Sequence, residues 1–423
     1  MSEFLRIQLR ARESGDMSTK PAPRVIIIGA GPIGLEAALR LSAAGFETVV
    51  HERDTVASNV KRWGHVELFS PFVMNSSRAG RESVGADRPD DDALLSGESF
   101  ATLYLEPLAR SVGRQAVICE HSSVVAISRE ATWKHHLVGR RAETSDRFLL
   151  LIEGAAGESM ETADVVLDCS GTWGTHNPIG AGGICCPGER RVMEVGDYEI
   201  PDTCGDGAER FAGRHTLVVG SGHSAATAVV ALAGLAAGSA DTCVSWITRG
   251  QRTAPLEATT EDPLPPRAAL VTAANRLATD DDSVVDWLPG ALVLGLDGGP
   301  GQFSVAMDDP RRGREVISAD VVLGLTGCRP DRSLYGELQV HECYATGGPI
   351  RLAAELLGET SEDCLEQAVG GIETLQSPEP DFFILGSKSY GRDSRFLLRV
   401  GLEQVELVAE HLVATHAPGP VEL

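Results

Sequence analysis

Residues 25–34 read Val25-Ile26-Ile27-Ile28-Gly29-Ala30-Gly31-Pro32-Ile33-Gly34. Four consecutive branched aliphatic residues predict a strand that is buried on both faces. The glycines that follow predict a tight turn, and the Ala/Leu-rich residues 35–41 predict a helix. Residues 48–52 predict a second strand that ends in an acidic residue. The stretch therefore predicts a βαβ unit with parallel strands, at the start of an α/β fold.

The three glycines of this turn have separate tasks in a dinucleotide-binding fold. Gly29 permits the turn, Gly31 lets the backbone approach a pyrophosphate, and Gly34 lets the helix pack close to the strand. Glu52 ends the second strand, where a carboxylate accepts hydrogen bonds from ribose hydroxyls and repels a 2′-phosphate. We therefore expect FAD or NAD at this turn rather than NADP. The residues expected to hold the cofactor here are Gly29, Gly31, Pro32, Ile33, Gly34, Glu52 and Arg53.

A second glycine-rich turn follows another short apolar run, residues 216–219. Alanine replaces the third glycine of the pattern, and no acidic residue ends the next strand, where Arg249 stands instead. A guanidinium suits a 2′-phosphate, so this turn is expected to hold NADPH. The residues expected to do so are Gly220, Ser221, Gly222, His223, Ser224, Ala225 and Arg249.

Two such turns in one chain predict two Rossmann-like domains, with the NADPH domain inserted into a discontinuous FAD domain. A late apolar strand at 381–385 is expected to rejoin the first sheet. The expected boundaries are a disordered lead-in at 1–22, an FAD domain at 23–174 and 316–423, a loop-rich connection at 175–211, and an NADPH domain at 212–315.

The charge balance narrows the range of partners. The 423 residues include 60 acidic and 37 basic side chains, a formal net charge of -23. Such a chain is repelled by phosphate backbones and by anionic membrane surfaces, so neither nucleic acid nor membrane is an expected partner. No apolar run is long enough to span a bilayer. We expect a cytoplasmic protein that acts on a small molecule; a homo-oligomer is compatible with the sequence.

The nine cysteines are scattered, and no Cys-X-X-Cys occurs, so no zinc site or other metal site is predicted. Adjacent Cys185 and Cys186 are expected to be two thiols in a loop. Flavin disulfide reductases use a CxxxxC after the first motif or a CxxC after the second, and both patterns are absent. Direct chemistry between a flavin and oxygen therefore becomes the leading interpretation.

With its paired glycine turns and Thr326-Gly327 after a late strand, the sequence resembles the class B flavin-dependent monooxygenases, a group that includes flavin-containing monooxygenases and amine N-hydroxylases. The resemblance implies that NADPH reduces FAD and that a C4a-(hydro)peroxyflavin transfers one oxygen atom from O2 to an amine, sulfur or ketone. Asn75 resembles the asparagine that these enzymes place beside the flavin. The FxGxxxHxxxY/W signature of the group is absent, because Gly213 and His215 are only two positions apart.

Several further residues are candidates for the flavin environment. His65 is a candidate acid or base, and Trp63 a candidate wall of the isoalloxazine site, although aromatic residues in such a stretch are as often core. The polar loop after the late strand is expected to bring a positive helix end towards the reduced flavin; the competing interpretation is a surface loop. The remaining residues expected to bind cofactor are Gly171, Gly327, Gly386, Lys388 and Phe396.

Two other functions stay open at the level of sequence. One is an FAD-dependent NAD(P)H reductase or dehydrogenase that passes electrons to a quinone, a metal or a protein. The other is a redox sensor that binds both nucleotides without turnover.

Overall fold

The computed structural model describes residues 22–259, 262–358 and 370–416. The lead-in expected at 1–22 lies outside these residues, except for residue 22. The chain forms two compact units: unit 1 contains the residues up to Gly174 and those from Arg329 onward, and unit 2 spans Thr175–Cys328.

Fifteen strands are formed by the described residues. In chain order they are β1 Arg24–Ile28, β2 Glu47–His51, β3 Val117–Cys119, β4 Ser122–Arg129, β5 Phe148–Gly154, β6 Gly157–Ala163, β7 Val165–Asp168, β8 His215–Val219, β9 Cys243–Thr248, β10 Val285–Pro289, β11 Leu292–Gly299, β12 Gln302–Asp309, β13 Gly313–Ala319, β14 Val321–Gly324 and β15 Phe382–Ile384.

Eleven α-helices accompany them in the same residues, with short 3-10 turns and one π-helical segment, Ala101–Leu105, between them. They are α1 Pro32–Ala43, α2 Ser58–Arg62, α3 Arg78–Val84, α4 Gly97–Phe100, α5 Glu106–Val112, α6 Glu189–Val192, α7 His223–Ala236, α8 Pro265–Thr279, α9 Ile350–Gly358, α10 Ile372–Leu375 and α11 Leu398–His416.

Unit 1 is built on a parallel sheet with the strand order β15-β7-β1-β2-β3. The central strand β1 is buried on both faces, as its unbroken aliphatic run predicts. Val25 and Ile27 pack with α1, α5 and α11, whereas Ile26 and Ile28 pack with the antiparallel sheet β4-β5-β6. The chain leaves β1 towards β2 on one side and β7 lies on the other. The sheet therefore has a topological switch point at the carboxyl end of β1, where α/β folds bind ligands.

Unit 2 repeats this plan on a smaller scale. Its parallel sheet has the order β10-β9-β8-β14, with α7 and α8 packed on one face. An antiparallel sheet, β11-β12-β13, packs on the other face. The turn after β8 again lies at a switch point, here between β8 and β14.

The expected α/β class with two Rossmann-like cores is confirmed, and β15 rejoins the first sheet by pairing with β7. The domain boundaries differ from those expected. Residues 316–328 were expected in the first domain but belong to unit 2, because β14 pairs with β8. Residues 175–211 are also part of unit 2 rather than a separate connection. Within the described residues, no helix has both the length and the apolar character that a membrane span requires.

Candidate functional site

In unit 1, the first glycine turn shows a distinct spatial reason for each glycine. Gly29 has a positive φ of 99°, and a Cβ there would lie 2.8 Å from the Cys169 carbonyl oxygen. A Cβ on Gly34 would lie 1.9 Å from the Gly29 carbonyl oxygen, so only glycine lets α1 pack against the turn. At Gly31, by contrast, an added Cβ would meet no described atom within 4 Å. Gly31 therefore borders open space.

That open space lies over the start of α1, a helix of 12 residues. Gly31 is the N-cap residue, and no described side chain caps its first turn. The backbone N–H groups there are available to an anion, and the helix dipole favours negative charge at this end. An open glycine beside an uncapped helix start fits the pyrophosphate of a dinucleotide.

Glu52 completes the site from the end of β2. Its Oε2 accepts a hydrogen bond of 2.8 Å from the Ala30 main-chain N–H, and its Oε1 accepts one of 3.0 Å from Asp54. Both bonds hold the half-buried carboxylate beside the glycine turn. The remaining lone pairs of the Glu52 carboxylate can accept hydrogen bonds from ribose hydroxyls.

The rim of this edge carries aromatic and basic side chains. Trp63 stacks on Trp173, with ring centroids 6.0 Å apart and planes 22° apart, and Trp173 is 37% exposed. Arg53 lies against Gly174, where a Cβ would be 3.0 Å from its guanidinium Nη1. Gly171, with a φ of 69°, ends the chain segment after β7 next to Ser387. The structure thus brings Trp63, Arg53 and Gly171 to the carboxyl end of the sheet.

Lys388, which was expected to contact a cofactor, is engaged inside the protein at the carboxyl end of β7. Its side chain is 1% exposed, and Nζ donates to Asp168 Oδ2 at 2.6 Å and to Ser170 Oγ at 3.0 Å. Asp168 is fully buried and also accepts two hydrogen bonds from Ser170 through Oδ1. Lys388 is therefore a clamp that ties the 386–390 segment to the end of β7.

Gly386 and Phe396 also belong to the supporting structure around the turn. The Gly386 N–H donates to Gln404 Oε1 of α11 at 2.9 Å, and a Cβ at Gly386 would lie 3.1 Å from Ile33 of α1. Phe396 packs edge-on against the buried Tyr390, with ring centroids 5.4 Å apart. Phe396 is thus part of the core packing, and Gly386 positions the first turn of α1.

The two predicted catalytic residues occupy different settings. The amide of Asn75 is 4% exposed and donates both of its N–H groups to main-chain oxygens, of Ser70 at 2.9 Å and of Pro71 at 3.2 Å. Its Oδ1 accepts a bond of 2.9 Å from the Ser70 hydroxyl. Asn75 therefore holds its own loop and has no N–H left for a bound molecule. His65 is exposed after α2.

In unit 2, the second glycine turn has the same design. A Cβ on Gly220 would lie 2.1 Å from the Leu325 carbonyl oxygen, whereas one on Gly222 would meet no described atom within 4 Å. Ala225 is fully buried in α7, so this helix leaves room for a methyl group where α1 leaves none. Gly222 is the N-cap residue of α7, and no described side chain caps that helix start.

The other residues of the second site surround the same helix start. The main-chain N–H of Arg249 donates to Ser221 Oγ at 2.7 Å, which holds the exposed Arg249 beside the turn. His223 and Ser224 occupy the first turn of α7. Partial desolvation and the positive charge of Arg267 hold the pKa of His223 below its ordinary value, so His223 is a neutral hydrogen-bonding group near pH 7. Gly327, with a φ of 80°, follows β14 at the same edge.

Sequence reasoning missed Asp168, Trp173 and Gln404, which shape the first site through contacts with distant residues. The only local signal was that Asp168 ends a buried strand, a position at which a carboxylate requires a partner.

No family model matches this sequence, and no curated protein matches it. Solved structures do resemble it. A bacillithiol disulfide reductase from Bacillus cereus is 18% identical, with a TM-score of 0.65 over 93% of this chain and 99% of that chain. An ornithine N-hydroxylase from Kutzneria sp. 744, solved with FAD and NADP+, is 16% identical, with a TM-score of 0.60 over 93% and 100%.

A flavin-containing monooxygenase from Stenotrophomonas maltophilia is 16% identical, with a TM-score of 0.58 over 94% of this chain and 99% of that chain. The similarity extends over nearly the whole length of each protein. At these identities it establishes the fold: two Rossmann-like cores arranged along the chain as in these proteins.

Proposed function

We propose that this chain is an FAD-dependent oxidoreductase that consumes NADPH. The observation that carries the proposal is the pair of glycine turns, each with an open second glycine over an uncapped helix start. The residues at the ends of the second strands differ in charge. Glu52 suits the ribose hydroxyls of FAD, and Arg249 suits the 2′-phosphate of NADPH.

The residues of the chain bind and orient the two cofactors. The start of α1 and Gly31 would hold the FAD pyrophosphate, and Glu52 its ribose. The start of α7, Ser224 and Arg249 would hold NADPH. When bound, NADPH supplies a hydride that FAD accepts, and the electrons then pass to a second substrate. The Lys388–Asp168 pair keeps the end of β7 in place beneath the FAD site.

The leading candidate reaction is monooxygenation, in which one oxygen atom of O2 is transferred to an amine, a sulfur or a ketone. The support is chemical: the sequence has neither dithiol pattern of the flavin disulfide reductases. Cys169, beside the glycine turn, is a poor nucleophile because burial and the Asp168 carboxylate raise its pKa. A reaction of the reduced flavin with oxygen requires no thiol from the protein at this edge.

Rapid mixing of the NADPH-reduced enzyme with oxygen tests this reaction. Monooxygenation predicts a long-lived near-ultraviolet absorbance, distinct from that of oxidised and of reduced flavin. It also predicts oxygen consumption that rises with the substrate. Immediate return to the oxidised spectrum at every substrate tested would contradict it.

A second candidate is an FAD-dependent reductase that passes electrons to a quinone, a metal or a protein. The specific observation in its favour is Asn75, whose N–H groups are both used within its own loop. Asn75, which resembles the asparagine that the class B monooxygenases place beside the flavin, thus has a structural role in this chain. The same fold serves a disulfide reductase and two oxygen-using enzymes, so the fold does not choose between the candidates. Fast NADPH oxidation with an acceptor in the absence of oxygen would favour the reductase.

Arg249→Ala tests the assignment of NADPH to unit 2. We expect the KM for NADPH to rise by about ten- to hundredfold, because a charge-assisted hydrogen bond contributes roughly 1.5–3 kcal/mol. The KM for NADH should stay unchanged, since NADH has no 2′-phosphate. Arg252→Ala, a nearby exposed arginine, is the matched control. An equal loss with both nucleotides would show that Arg249 does not recognise the 2′-phosphate.

A further inference from the structure

Unit 2 contains a thiol and an imidazole in contact that neither cofactor assignment uses. Cys328 Sγ lies 3.6 Å from His176 Nδ1, and both residues are partly exposed. Cys328 directly follows Gly327 at the carboxyl edge of the parallel sheet. A thiol next to a base that can take its proton is the usual arrangement of a nucleophilic cysteine.

The backbone holds the two side chains together. His176 and Cys328 form an antiparallel bridge, and the Asn177 N–H donates to the Gly327 carbonyl oxygen at 2.9 Å. The Asn177 amide donates to the Thr326 carbonyl oxygen at 3.1 Å, and the Thr326 hydroxyl donates back to the Asn177 carbonyl oxygen. The two segments are therefore held together next to the bridge.

The imidazole ring is also held from behind. His176 stacks on Tyr198, with ring centroids 5.1 Å apart and planes 12° apart. The Tyr198 hydroxyl donates to Glu189 Oε1 at 2.9 Å, and the fully buried Glu189 carboxylate also accepts the N–H groups of Ile179 and Cys186. This chain of contacts fixes the plane of the ring and leaves Nδ1 facing the sulfur.

We propose that Cys328 and His176 form a reactive thiolate–imidazolium pair that hydrogen peroxide oxidises to a sulfenic acid. The proton of the thiol passes to Nδ1. The thiolate sulfur then attacks one peroxide oxygen, so that an S–O bond forms as the O–O bond breaks. The sulfur loses two electrons and becomes a sulfenic acid, and the leaving hydroxide takes the imidazolium proton to become water. The proposal does not depend on the identity of the cofactors.

The test compares cysteines within one protein sample. Cys185, Cys204 and Cys243 are exposed, whereas Cys328 is only partly so. If exposure alone set reactivity, these three would react faster with substoichiometric iodoacetamide. We expect Cys328 to react about tenfold or more faster than each of them in peptide mass mapping, because the thiolate is the nucleophile. After hydrogen peroxide, dimedone should label Cys328 and not the three exposed thiols.

Variants of His176 show whether this histidine activates Cys328 or only packs against it. His176→Gln should lower the alkylation rate of Cys328 by about tenfold and abolish its dimedone adduct, without changing the rates at Cys185, Cys204 and Cys243. His135→Gln, in an exposed loop of unit 1, should change none of these rates. Protection of the buried thiols Cys169 and Cys186 from alkylation reports whether His176→Gln still folds, and a variant that fails this check is replaced by His176→Asn. Equal or slower reaction of Cys328 in the native protein, no dimedone adduct, or an unchanged rate in the folded variant would each overturn the proposal.

Discussion

Replacement of Gly31 by valine is expected to abolish FAD binding while the protein stays folded. The added side chain meets no described atom within 4 Å of its Cβ, and the backbone of Gly31 is in the extended region, with a φ of -83° and a ψ of -173°. The side chain would instead stand over the first turn of α1, where we propose that the FAD pyrophosphate binds. Loss of two charge-assisted hydrogen bonds of about 1.5–3 kcal/mol each weakens binding at least about a hundredfold. The flavin absorbance that remains after desalting measures how much FAD the variant retains.

Two variants serve as controls for the loss of FAD. Gly222→Val places the same side chain over the start of α7 and should leave the FAD content intact while weakening NADPH binding. Gly34→Ala adds a methyl group 1.9 Å from the Gly29 carbonyl oxygen and should lower the stability of the protein as well as its FAD content. If Gly31→Val retained full FAD content, the pyrophosphate would not lie over α1.

Lys388→Met is expected to destabilise the protein by about 3–5 kcal/mol, because the buried carboxylate of Asp168 loses its cationic partner. Asp168 would keep only the two neutral donors of Ser170. The 386–390 segment would also lose its tie to β7, so FAD affinity should fall. Urea unfolding followed by tryptophan fluorescence measures the change in stability, and Trp63 and Trp173 report on unit 1.

A double-mutant cycle isolates the ion pair from packing. Asp168→Asn alone leaves Lys388 buried without its counter-charge, whereas Lys388→Met combined with Asp168→Asn removes both charges. The double variant should therefore be much more stable than the sum of the two single changes predicts. Simple additivity would mean that the two side chains stabilise the protein independently, which contradicts the clamp.

The structural features that could be predicted from the sequence are those that a local pattern of residues determines. The aliphatic run of β1 requires burial on both faces, and the structure provides a core on each face. The tasks of Gly29 and Gly34 follow from the turn geometry of a βαβ unit, and at each position an added Cβ would clash with a main-chain oxygen. The return of the late strand to the first sheet followed from its apolar character and its position in the chain.

The parts that sequence could not predict depend on partners far along the chain. Lys388 lies in a stretch that is polar and looks exposed, but its counter-charge, Asp168, is 220 residues away. Asn75 matched a family position, yet its hydrogen bonds are decided by how its own loop closes on Ser70. The boundary expected at residue 316 failed because a short apolar strand does not reveal which of two sheets it joins.

Anaerobic titration with NADPH, after loading with FAD and desalting, tests the central claim most directly. The account predicts that the protein retains FAD and that its visible absorbance bleaches on addition of NADPH, and far more slowly with NADH. A protein that retains no FAD after loading, or whose bound flavin stays oxidised with NADPH, would contradict the claim that one chain unites these two cofactors.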